Sequence, residues 1–245
     1  MRPLVLIGII CLLLQSCKYK TKEAPVEQKN IPVSKDKIIE MPSCIMEDSI
    51  IAMGLVNVQS INPNIQVELR YADTNNFLGI VLYQCLKKAY LQKEVVEKLD
   101  SAQKVLSRLH PGYKLYIWDA VRPKSVQQMM WDSLRMPLNQ KFRYVSNPKN
   151  HSVHNYGAAV DLTIQDSLGN LLDMGTDFDF FGPAANTNRD SFNLANKNLT
   201  RINLKNRRIL RKCMYKAGFR GITSEWWHFN SCGRNTAKSR YQLLK

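Results

Sequence analysis

The chain has 245 residues, a formal net charge of +15 and six cysteines. Its length allows one ordinary domain with a substantial core behind an N-terminal leader. The basic residues are scattered, and their densest run, residues 201–216, alternates with apolar residues as a solvated helix face does. This pattern argues against a nucleic-acid partner and favours non-specific attraction to anionic envelope polymers or lipid.

Residues 1–17 have the features of a bacterial lipoprotein signal peptide. Arg2 precedes an apolar stretch from Leu4 to Leu14 that is too short to span a bilayer permanently. The sequence Leu14-Gln15-Ser16-Cys17 has the pattern of a lipobox. We therefore expect Cys17 to be acylated and the protein to be anchored to a membrane of the cell envelope, on its periplasmic or outer-surface side. The alternative is an ordinary signal peptide with an incidental cysteine.

Residues 18–45 predict a disordered tether, because they are rich in Lys, Glu, Pro, Gln and Asn and poor in aromatic residues. Fully extended at ~3.3 Å per residue, the part of the tether from Lys18 to Glu40 alone could hold a domain up to roughly 75 Å from a lipid surface. The folded domain is predicted over residues 46–245.

Four cysteines remain once Cys11 and Cys17 are set aside: Cys44, Cys85, Cys213 and Cys232. In an oxidising compartment they allow three pairings, among which the sequence does not choose, and buried free thiols are the alternative. None forms a Cys-x-x-Cys pair, so thiolate zinc and thioredoxin-like redox chemistry are not indicated.

The first half of the domain shows strand and helix periodicity in turn. Residues 66–71 and 114–120 alternate as half-buried strands do, with Leu115 and Ile117, and at the end of the segment Asp119, on one side. Residues 92–109 repeat apolar side chains at helical spacing and are stopped by His110-Pro111-Gly112.

A second helix is predicted after Pro123, with an inner face of Val126, Met129, Met130 and Leu134. In the strand that follows, Val160, Leu162 and Ile164 point one way, and Asp161 and Thr163 point the other. A third helix is predicted over residues 202–217, ended by Gly218, with a strand or extended turn over 219–229. This mixture predicts a single α+β domain, in which we expect a mainly antiparallel central sheet flanked by helices.

Two motifs predict a split metal site. His154 and Asp161 are seven positions apart, with Gly157 between them to permit a close backbone approach or a positive φ. His228 follows about sixty-odd positions later. Two imidazoles and one carboxylate are a usual ligand set for a catalytic zinc ion, because a fourth position stays open. We expect one zinc ion in a cleft on the sheet.

Glu225 is the predicted general base, since an acid three residues before a ligand can lie beside the metal without binding it. Its alternative role is a surface carboxylate. Arg122, at a strand end and fixed by Pro123, could stabilise the oxyanion of a tetrahedral intermediate, although alone it would be a surface arginine in a turn. Of Trp226 and Trp227, we expect one in the core and the other at the wall of the site.

Together these segments resemble the VanX-type D-alanyl-D-alanine dipeptidases, within the wider family of zinc peptidases that includes D-Ala-D-Ala carboxypeptidases and the hedgehog signalling domain. The matches are Ser-x-His-x-x-Gly-x-Ala-x-Asp from Ser152, Glu-x-Trp-His from Glu225, the segments 67–72 and 76–79, Asp119-Ala120-Val121-Arg122-Pro123, and residues 174–180. Val121 departs from the family pattern, which commonly has tyrosine before the arginine.

The resemblance implies roles for individual residues. The zinc ligands would be His154, Asp161 and His228, the base Glu225 and the transition-state stabiliser Arg122. Asp179 would meet the substrate ammonium group at a closed pocket end, and Tyr71 and Ser152 would line the dipeptide pocket. His110 is expected to be a helix cap or surface residue, and His151 to lie outside the site.

The implied activity is zinc-dependent hydrolysis of D-Ala-D-Ala to two D-alanines. Because Cys17 predicts an envelope location, we expect turnover of dipeptides released from the cell wall. A zinc carboxypeptidase acting on longer peptidoglycan peptides is the first alternative. A non-catalytic peptidoglycan-binding lipoprotein is the second, although simple binding requires neither Glu225 nor Arg122.

Overall fold

The computed structural model describes residues 44–245. The predicted signal peptide, the acylation at Cys17 and the tether up to residue 43 lie outside these residues. Within residues 44–245, no helix combines the length and the apolar character needed to cross a membrane.

The helices are α1 (Ile45–Ala52), α2 (Val58–Ile61), α3 (Lys93–Leu109), α4 (Lys124–Ser133), α5 (Leu138–Lys141), α6 (Asp190–Ala195), α7 (Arg201–Lys216) and α8 (Arg234–Arg240). The strands are β1 (Val56–Asn57), β2 (Gln66–Val67), β3 (Tyr90–Leu91), β4 (Lys114–Asp119), β5 (Ala159–Gln165), β6 (Arg220–Gly221) and β7 (His228–Asn230). Short 3-10 turns cover Arg70–Ala72, Val153–Tyr156 and Pro183–Ala185.

Five strands form the central sheet in the order β2-β4-β5-β7-β6. The β2–β4 pair is parallel and the other three pairs are antiparallel. Strands β1 and β3 form a separate antiparallel pair. The prediction of an α+β domain with a mainly antiparallel central sheet is confirmed.

The two faces of the central sheet differ in chemistry. Val160 pairs with Phe229, and the next pair along the same strands joins Asp161 to His228. Because consecutive side chains of a strand point to opposite faces, the apolar pair lies on one face and the polar pair on the other. Asp161 and His228, two of the three predicted metal ligands, therefore share one face of the sheet.

Helices α3 and α7 cover the apolar face. The ring of Tyr215 on α7 lies 6.3 Å from the ring of Phe229, which places α7 on the face opposite His228. Helix α3 packs against α7 and β4. The buried side chains of α3 are Val95, Val96, Leu99, Ala102, Gln103 and Leu106.

A capping box sets the start of α7. The Thr200 hydroxyl accepts a hydrogen bond from the Asn203 N–H at 3.2 Å, and the Asn203 side chain accepts one from the Thr200 N–H at 2.7 Å. These bonds satisfy N–H groups that a helix start otherwise leaves free. At the other end Gly218 adopts a φ of +85°, as its predicted role in ending the helix requires.

Three details of the predicted elements were wrong. The strand predicted over residues 66–71 ends at Val67, because the chain turns at Arg70–Ala72 and brings Tyr71 into the core. On α4, Val126 and Met130 are buried, but Met129 is 41 % exposed because it lies on the outer side of the helix. Asp119 does not share a face with Ile117, because the register of β4 against β5 shifts between these two residues.

The cysteines include one disulfide bond and two free thiols. Cys44 is bonded to Cys85, so Cys44 and Ile45 at the end of the predicted tether belong to the folded unit. Cys213 is buried and free, and Cys232 is half-buried and free. One disulfide plus two thiols lies between the alternatives that the sequence left open.

Candidate metal centre and substrate cavity

His154 is held on the 3-10 turn Val153–Tyr156. The Ser152 hydroxyl accepts a hydrogen bond from the His154 N–H at 3.3 Å, and the Asn155 side chain accepts one from the Ser152 N–H at 2.6 Å. Gly157 ends the turn with a φ of +62°, and a Cβ there would lie 2.7 Å from a methyl group of Leu55. Both the positive φ and the close approach predicted for Gly157 are confirmed.

Three side chains converge next to this turn. Asp161 on β5 and His228 on β7 are register partners, and His228 Nδ1 lies 2.9 Å from Asp161 Oδ1. His154 Nε2 lies 3.2 Å from His228 Nδ1 and 3.3 Å from Asp161 Oδ1. The three ligand atoms lie within 4.8 Å of one another, and all three residues are buried.

Each imidazole has one nitrogen directed at the other two side chains (the inner nitrogen) and one directed away from them (the outer nitrogen). The hydrogen bond of the outer nitrogen determines whether the inner nitrogen carries a proton. His154 Nδ1 lies 2.7 Å from the carbonyl oxygen of Ala120, and His228 Nε2 lies 3.0 Å from the side-chain oxygen of Asn230. A ring nitrogen that meets an oxygen acceptor must carry its proton, so in the neutral rings the two inner nitrogens present lone pairs. Two lone pairs and a carboxylate facing one another bind a cation, either a proton held by His228 against Asp161 or a metal ion that displaces that proton, and this donor set fits zinc.

The protonation states of His228 and Asp161 follow from the same contacts. Burial alone would lower the pKa of His228, but the hydrogen bond and charge of Asp161 outweigh it and raise that pKa to about 9. Burial would raise the pKa of Asp161, but the two histidines hold it well below its usual value. Asp161 is therefore a carboxylate at neutral pH, as a metal ligand must be.

Glu225 lies at the rim of the metal centre. Its Oε2 is 4.0 Å from His228 Nδ1, and its side chain is 28 % exposed. Removal from water raises the pKa of Glu225, His228 opposes that rise, and the charge of Asp161 adds to it. The carboxyl group is thus close to the ligands, reachable from solvent and more basic than an ordinary glutamate.

Arg122 is buried beside the metal ligands and held by Asp119. Its Nε lies 2.9 Å from Asp119 Oδ2, its Nη2 bonds the same oxygen, and Nη2 is 3.6 Å from Asp161 Oδ2. The Tyr83 hydroxyl donates to the other oxygen of Asp119. Burial would lower the pKa of Arg122, but Asp119 outweighs it and the pKa lies well above its usual value, so the guanidinium stays charged.

A β-bulge explains why Asp119 faces the site. Ile117 pairs with Leu162 and Asp119 pairs with Asp161, so Trp118 is an extra residue in β4. The extra residue turns Asp119 to the face that carries Asp161. Strict alternation placed Asp119 with Ile117, and this prediction was wrong because the alternation assumed an unbroken ladder.

Tyr71 and Asp179 form the next part of the site. The Tyr71 hydroxyl donates to Asp179 Oδ2 at 2.9 Å, and the Arg122 guanidinium carbon lies 5.1 Å from the centre of the Tyr71 ring. Burial and the nearby charge of Asp161 raise the pKa of Asp179, while the Tyr71 hydrogen bond opposes this.

All eight residues predicted for catalysis, metal binding and substrate binding line one small cavity of about 140 Å³. They are His154, Asp161, His228, Glu225, Arg122, Asp179, Tyr71 and Ser152. A second cavity of about 820 Å³ lies next to it, and Phe77 and Asp179 border both. The larger cavity does not fit the closed pocket end that was expected at Asp179.

The two tryptophans are both buried in the core, rather than only one of them. Trp227 also lines the small cavity and Trp226 the larger one, where its Nε1 donates to the Thr176 hydroxyl at 2.8 Å. His151 meets the Tyr156 hydroxyl at 3.1 Å and does not line the small cavity.

Sequence reasoning missed Arg234, which also lines the small cavity. This first residue of α8 is exposed, and no carboxylate within residues 44–245 forms a salt bridge with it. The two arginines of the cavity therefore differ, because Arg122 is paired and Arg234 is available to a ligand. Six positions separate Arg234 from His228, and that spacing alone gives no signal.

Comparisons with known proteins agree with this geometry. The peptidase M15 family model, described as D-Ala-D-Ala dipeptidase, matches residues 51–243. A D-alanyl-D-alanine dipeptidase of Escherichia coli K12 is 35% identical over 175 residues, which cover 71% of this chain and 83% of that protein. A dipeptidase of the same name from Enterococcus faecalis V583 is 28% identical over 72% of this chain and 90% of its own length.

A third D-alanyl-D-alanine dipeptidase, from a Synechocystis strain, is 27% identical over 60% of this chain and 71% of its own length. Among solved structures, the LdcB LD-carboxypeptidase is 21% identical over 61% of this chain and 63% of that chain, but its TM-score of 0.38 is too low to carry weight. The family match spans most of the described residues and includes every residue of the small cavity. The chain therefore belongs to the D-Ala-D-Ala dipeptidase family of metallopeptidases.

Proposed function

We propose that this protein is a zinc-dependent dipeptidase that hydrolyses D-Ala-D-Ala to two D-alanines. The observation that carries the proposal is the convergence of two imidazole lone pairs and a carboxylate beneath a small cavity, with Glu225 at its rim. His154, Asp161 and His228 would hold the ion. Bound there, zinc would act as a Lewis acid toward the substrate carbonyl and lower the pKa of water.

Glu225 moves the proton in this mechanism. Its carboxylate takes a proton from the attacking water, and the resulting acid passes it to the nitrogen of the departing D-alanine as the peptide bond breaks. The raised pKa of Glu225 suits the uptake of the proton from water, because a carboxylate that is too weak a base does not take it. A pKa still below that of the departing amine suits the later release of the proton. Its partial exposure allows water to reach it.

Arg122 stabilises the negative charge that develops on the carbonyl oxygen. The guanidinium is fixed by Asp119 and stacked near Tyr71 before substrate arrives, so little reorganisation accompanies the reaction. A protein that served only to bind peptidoglycan would need neither this fixed cation nor the nearby base. The arrangement therefore supports catalysis over simple binding.

The charges of the cavity suit a zwitterionic dipeptide. Asp179, bonded to Tyr71, would meet the substrate ammonium group, whose charge lowers the pKa that burial has raised. Arg234 has no salt-bridge partner within residues 44–245 and would meet the substrate carboxylate. Ser152 also lines this cavity while capping the turn of His154. A cavity of about 140 Å³ is far smaller than one for a drug-sized ligand, which supports a substrate of dipeptide size.

Hydrolysis assays with measured metal content test the proposal. The purified protein should cleave D-Ala-D-Ala, lose that activity on chelation and regain it with zinc, while L-Ala-L-Ala serves as the control. A protein that binds zinc in one equivalent but leaves D-Ala-D-Ala intact would contradict the assignment.

We further propose that the enzyme acts in the cell envelope on dipeptides released from the cell wall. This proposal rests on the lipobox pattern ending at Cys17 and on the envelope as the place where wall fragments are produced. Fractionation of cells and mass spectrometry of the amino terminus test it. Recovery of an unacylated protein from the cytoplasmic fraction would overturn it.

A carboxypeptidase acting on longer peptides is a second candidate, favoured by one observation. The cavity of about 820 Å³ borders Asp179 and could receive residues on the amino side of a D-Ala-D-Ala end. Assays that compare D-Ala-D-Ala with an N-acylated tripeptide ending in D-Ala-D-Ala separate the two candidates. Preference for the blocked tripeptide would favour the carboxypeptidase.

A further inference from the structure

The outer face of α7 carries a row of cations. We call Arg201, Lys205, Arg208, Lys212 and Lys216 the basic stripe, and all five are exposed. At 3.6 residues per turn they fall within an arc of about 80° and extend over ~22 Å of the helix. Helix α7 contains no acidic residue, so nothing on the helix itself offsets this charge.

The basic stripe is not neutralised by the rest of the described fold. The other two cations of α7 have partners: Arg207 donates to the carbonyl groups of Met174 and Ala184, and Arg211 lies 3.1 Å from Asp190. None of the five stripe residues takes part in a salt bridge within residues 44–245. Arginines that stabilise the fold are thus distinct from the cations that face solvent.

The basic stripe lies on the opposite side of the molecule from the metal centre. The inward face of α7 places Leu210, Cys213 and Met214 in the core, and Tyr215 at the edge of that face meets Phe229 on the apolar face of the sheet. The metal ligands project from the other face, and no residue of α3 or α7 lines the small cavity. A flat partner could therefore cover the stripe while the cavity stays open to solvent.

We propose that the basic stripe docks this domain on an anionic lipid bilayer, with the metal-site cavity facing away from it. Each Lys or Arg near an anionic leaflet gains favourable electrostatic energy that falls off within a Debye length. The helical period places Ile202, 66 % exposed, on one side of the stripe and Tyr215, 46 % exposed, on the other. Apolar and aromatic flanks suit the headgroup boundary of a bilayer, where an exposed isoleucine gains burial that a hydrated soluble polyanion does not offer.

Vesicle flotation with a chain that starts at residue 18 tests the proposal without an acyl chain. This chain contains all of the described residues 44–245. We expect it to bind vesicles of phosphatidylcholine mixed with phosphatidylglycerol, to bind phosphatidylcholine vesicles much less, and to dissociate at high salt. The variant Lys205→Glu/Arg208→Glu/Lys212→Glu should bind the mixed vesicles roughly tenfold or more weakly.

A matched control has the same change in net charge at exposed positions outside α7, namely Lys93→Glu/Arg135→Glu/Lys149→Glu. The proposal requires the control to bind like the unmodified chain, and both variants to hydrolyse D-Ala-D-Ala in solution at the unmodified rate. Equal loss of binding in both variants would show a response to net charge alone and overturn the proposal. Absence of vesicle binding together with stripe-dependent binding of a soluble anionic polymer would overturn it in favour of that polymer.

Discussion

Arg122 and Asp119 form an ion pair in which both residues are buried, with Arg122 Nε 2.9 Å from Asp119 Oδ2. The pair joins the end of β4 to the metal centre, because the same guanidinium lies 3.6 Å from Asp161. Asp119 is not one of the predicted metal ligands. Its Oδ2 lies 3.6 Å from His154 Nδ1, but that nitrogen bonds the Ala120 carbonyl instead, so we expect Asp119 to act on the reaction through the position of Arg122.

Asp119→Asn is expected to lower kcat by about 10- to 100-fold, because a guanidinium displaced by a fraction of an ångström meets the developing charge less well. It should also lower the free energy of unfolding by about 3 kcal/mol, since a buried cation loses its partner. Activity assays and urea unfolding measure both effects, and zinc content should stay unchanged. Arg240→Gln, which breaks a pair whose arginine is 57 % exposed, is the control and should cost about 0–1 kcal/mol.

Glu225→Ala is expected to keep the metal and to lose most of the activity, by roughly 100- to 10,000-fold in kcat. The reason is that this carboxylate is the proposed proton carrier and lies 4.0 Å from His228 Nδ1, without being one of the predicted metal ligands. Metal analysis and D-Ala-D-Ala hydrolysis on the same preparation test this, with exposed Glu97→Ala as control. Wild-type turnover in the Glu225 variant would refute its assignment as base.

Arg234→Ala is expected to raise KM for D-Ala-D-Ala by about tenfold with little change in kcat, because a charge-assisted hydrogen bond to the substrate carboxylate is lost. Arg234→Lys should restore part of the affinity. The C-terminal amide of D-Ala-D-Ala provides the discriminating measurement, since its KM should respond little to either substitution. An equal rise in KM for the acid and the amide would exclude recognition of the carboxylate.

Glu47 predicts a pH dependence of stability. Hydrogen bonds from Lys88 and then from Tyr90 lower the pKa of Glu47 in the folded state, against the opposing effect of burial. A lowered pKa contributes stability that is present above the unfolded value of about 4.3 and is lost as the pH falls from there through the folded value.

Glu47→Gln should therefore unfold at lower urea concentration at neutral pH, and its difference from the unmodified chain should shrink as the pH falls below about 4. Urea titrations at a series of pH values measure this. Glu97→Gln corrects for the change in net charge. A difference that stays constant down to strongly acidic pH would show that the substitution acts through packing instead.

Thiol labelling tests the cysteine arrangement. Without reductant, a denatured chain starting at residue 18 should be alkylated at Cys213 and Cys232 and not at Cys44 or Cys85. In the folded state Cys213 should react far more slowly than Cys232, because burial raises the pKa of Cys213 to about 11 and the thiolate is the reactive form. Peptide mapping identifies the labelled sites. Label on Cys85 before reduction would contradict the disulfide.

Local sequence patterns predicted correctly those elements whose structure depends on neighbouring residues in the chain. Helices α3 and α7 follow their apolar periodicity and end at stop residues, and Gly157 marks the turn of His154. Asp161 and His228 were predicted to meet because each belongs to a motif with a chemical reason. Their adjacency has a simple physical basis, since they are register partners on neighbouring strands.

Features that depend on a distant partner escaped prediction. The bulge that turns Asp119 toward Asp161 exists only against β5, and the pairing of Cys44 with Cys85 depends on how the chain folds back. Arg234 reaches the small cavity because α8 packs against the 3-10 turn Val153–Tyr156, far away in the sequence. In each case the sequence shows the residue, but the constraint lies in another part of the chain.

The disulfide between Cys44 and Cys85 also determines how this domain responds to mechanical force. Cys44 lies one residue before α1 and is joined to a residue 41 positions later. A pull on the chain from its amino-terminal side therefore passes through a covalent bond into the segment around Cys85 before it can peel α1 away. A domain pulled from that end would therefore retain α1 at forces that would unfold this helix if the disulfide were absent.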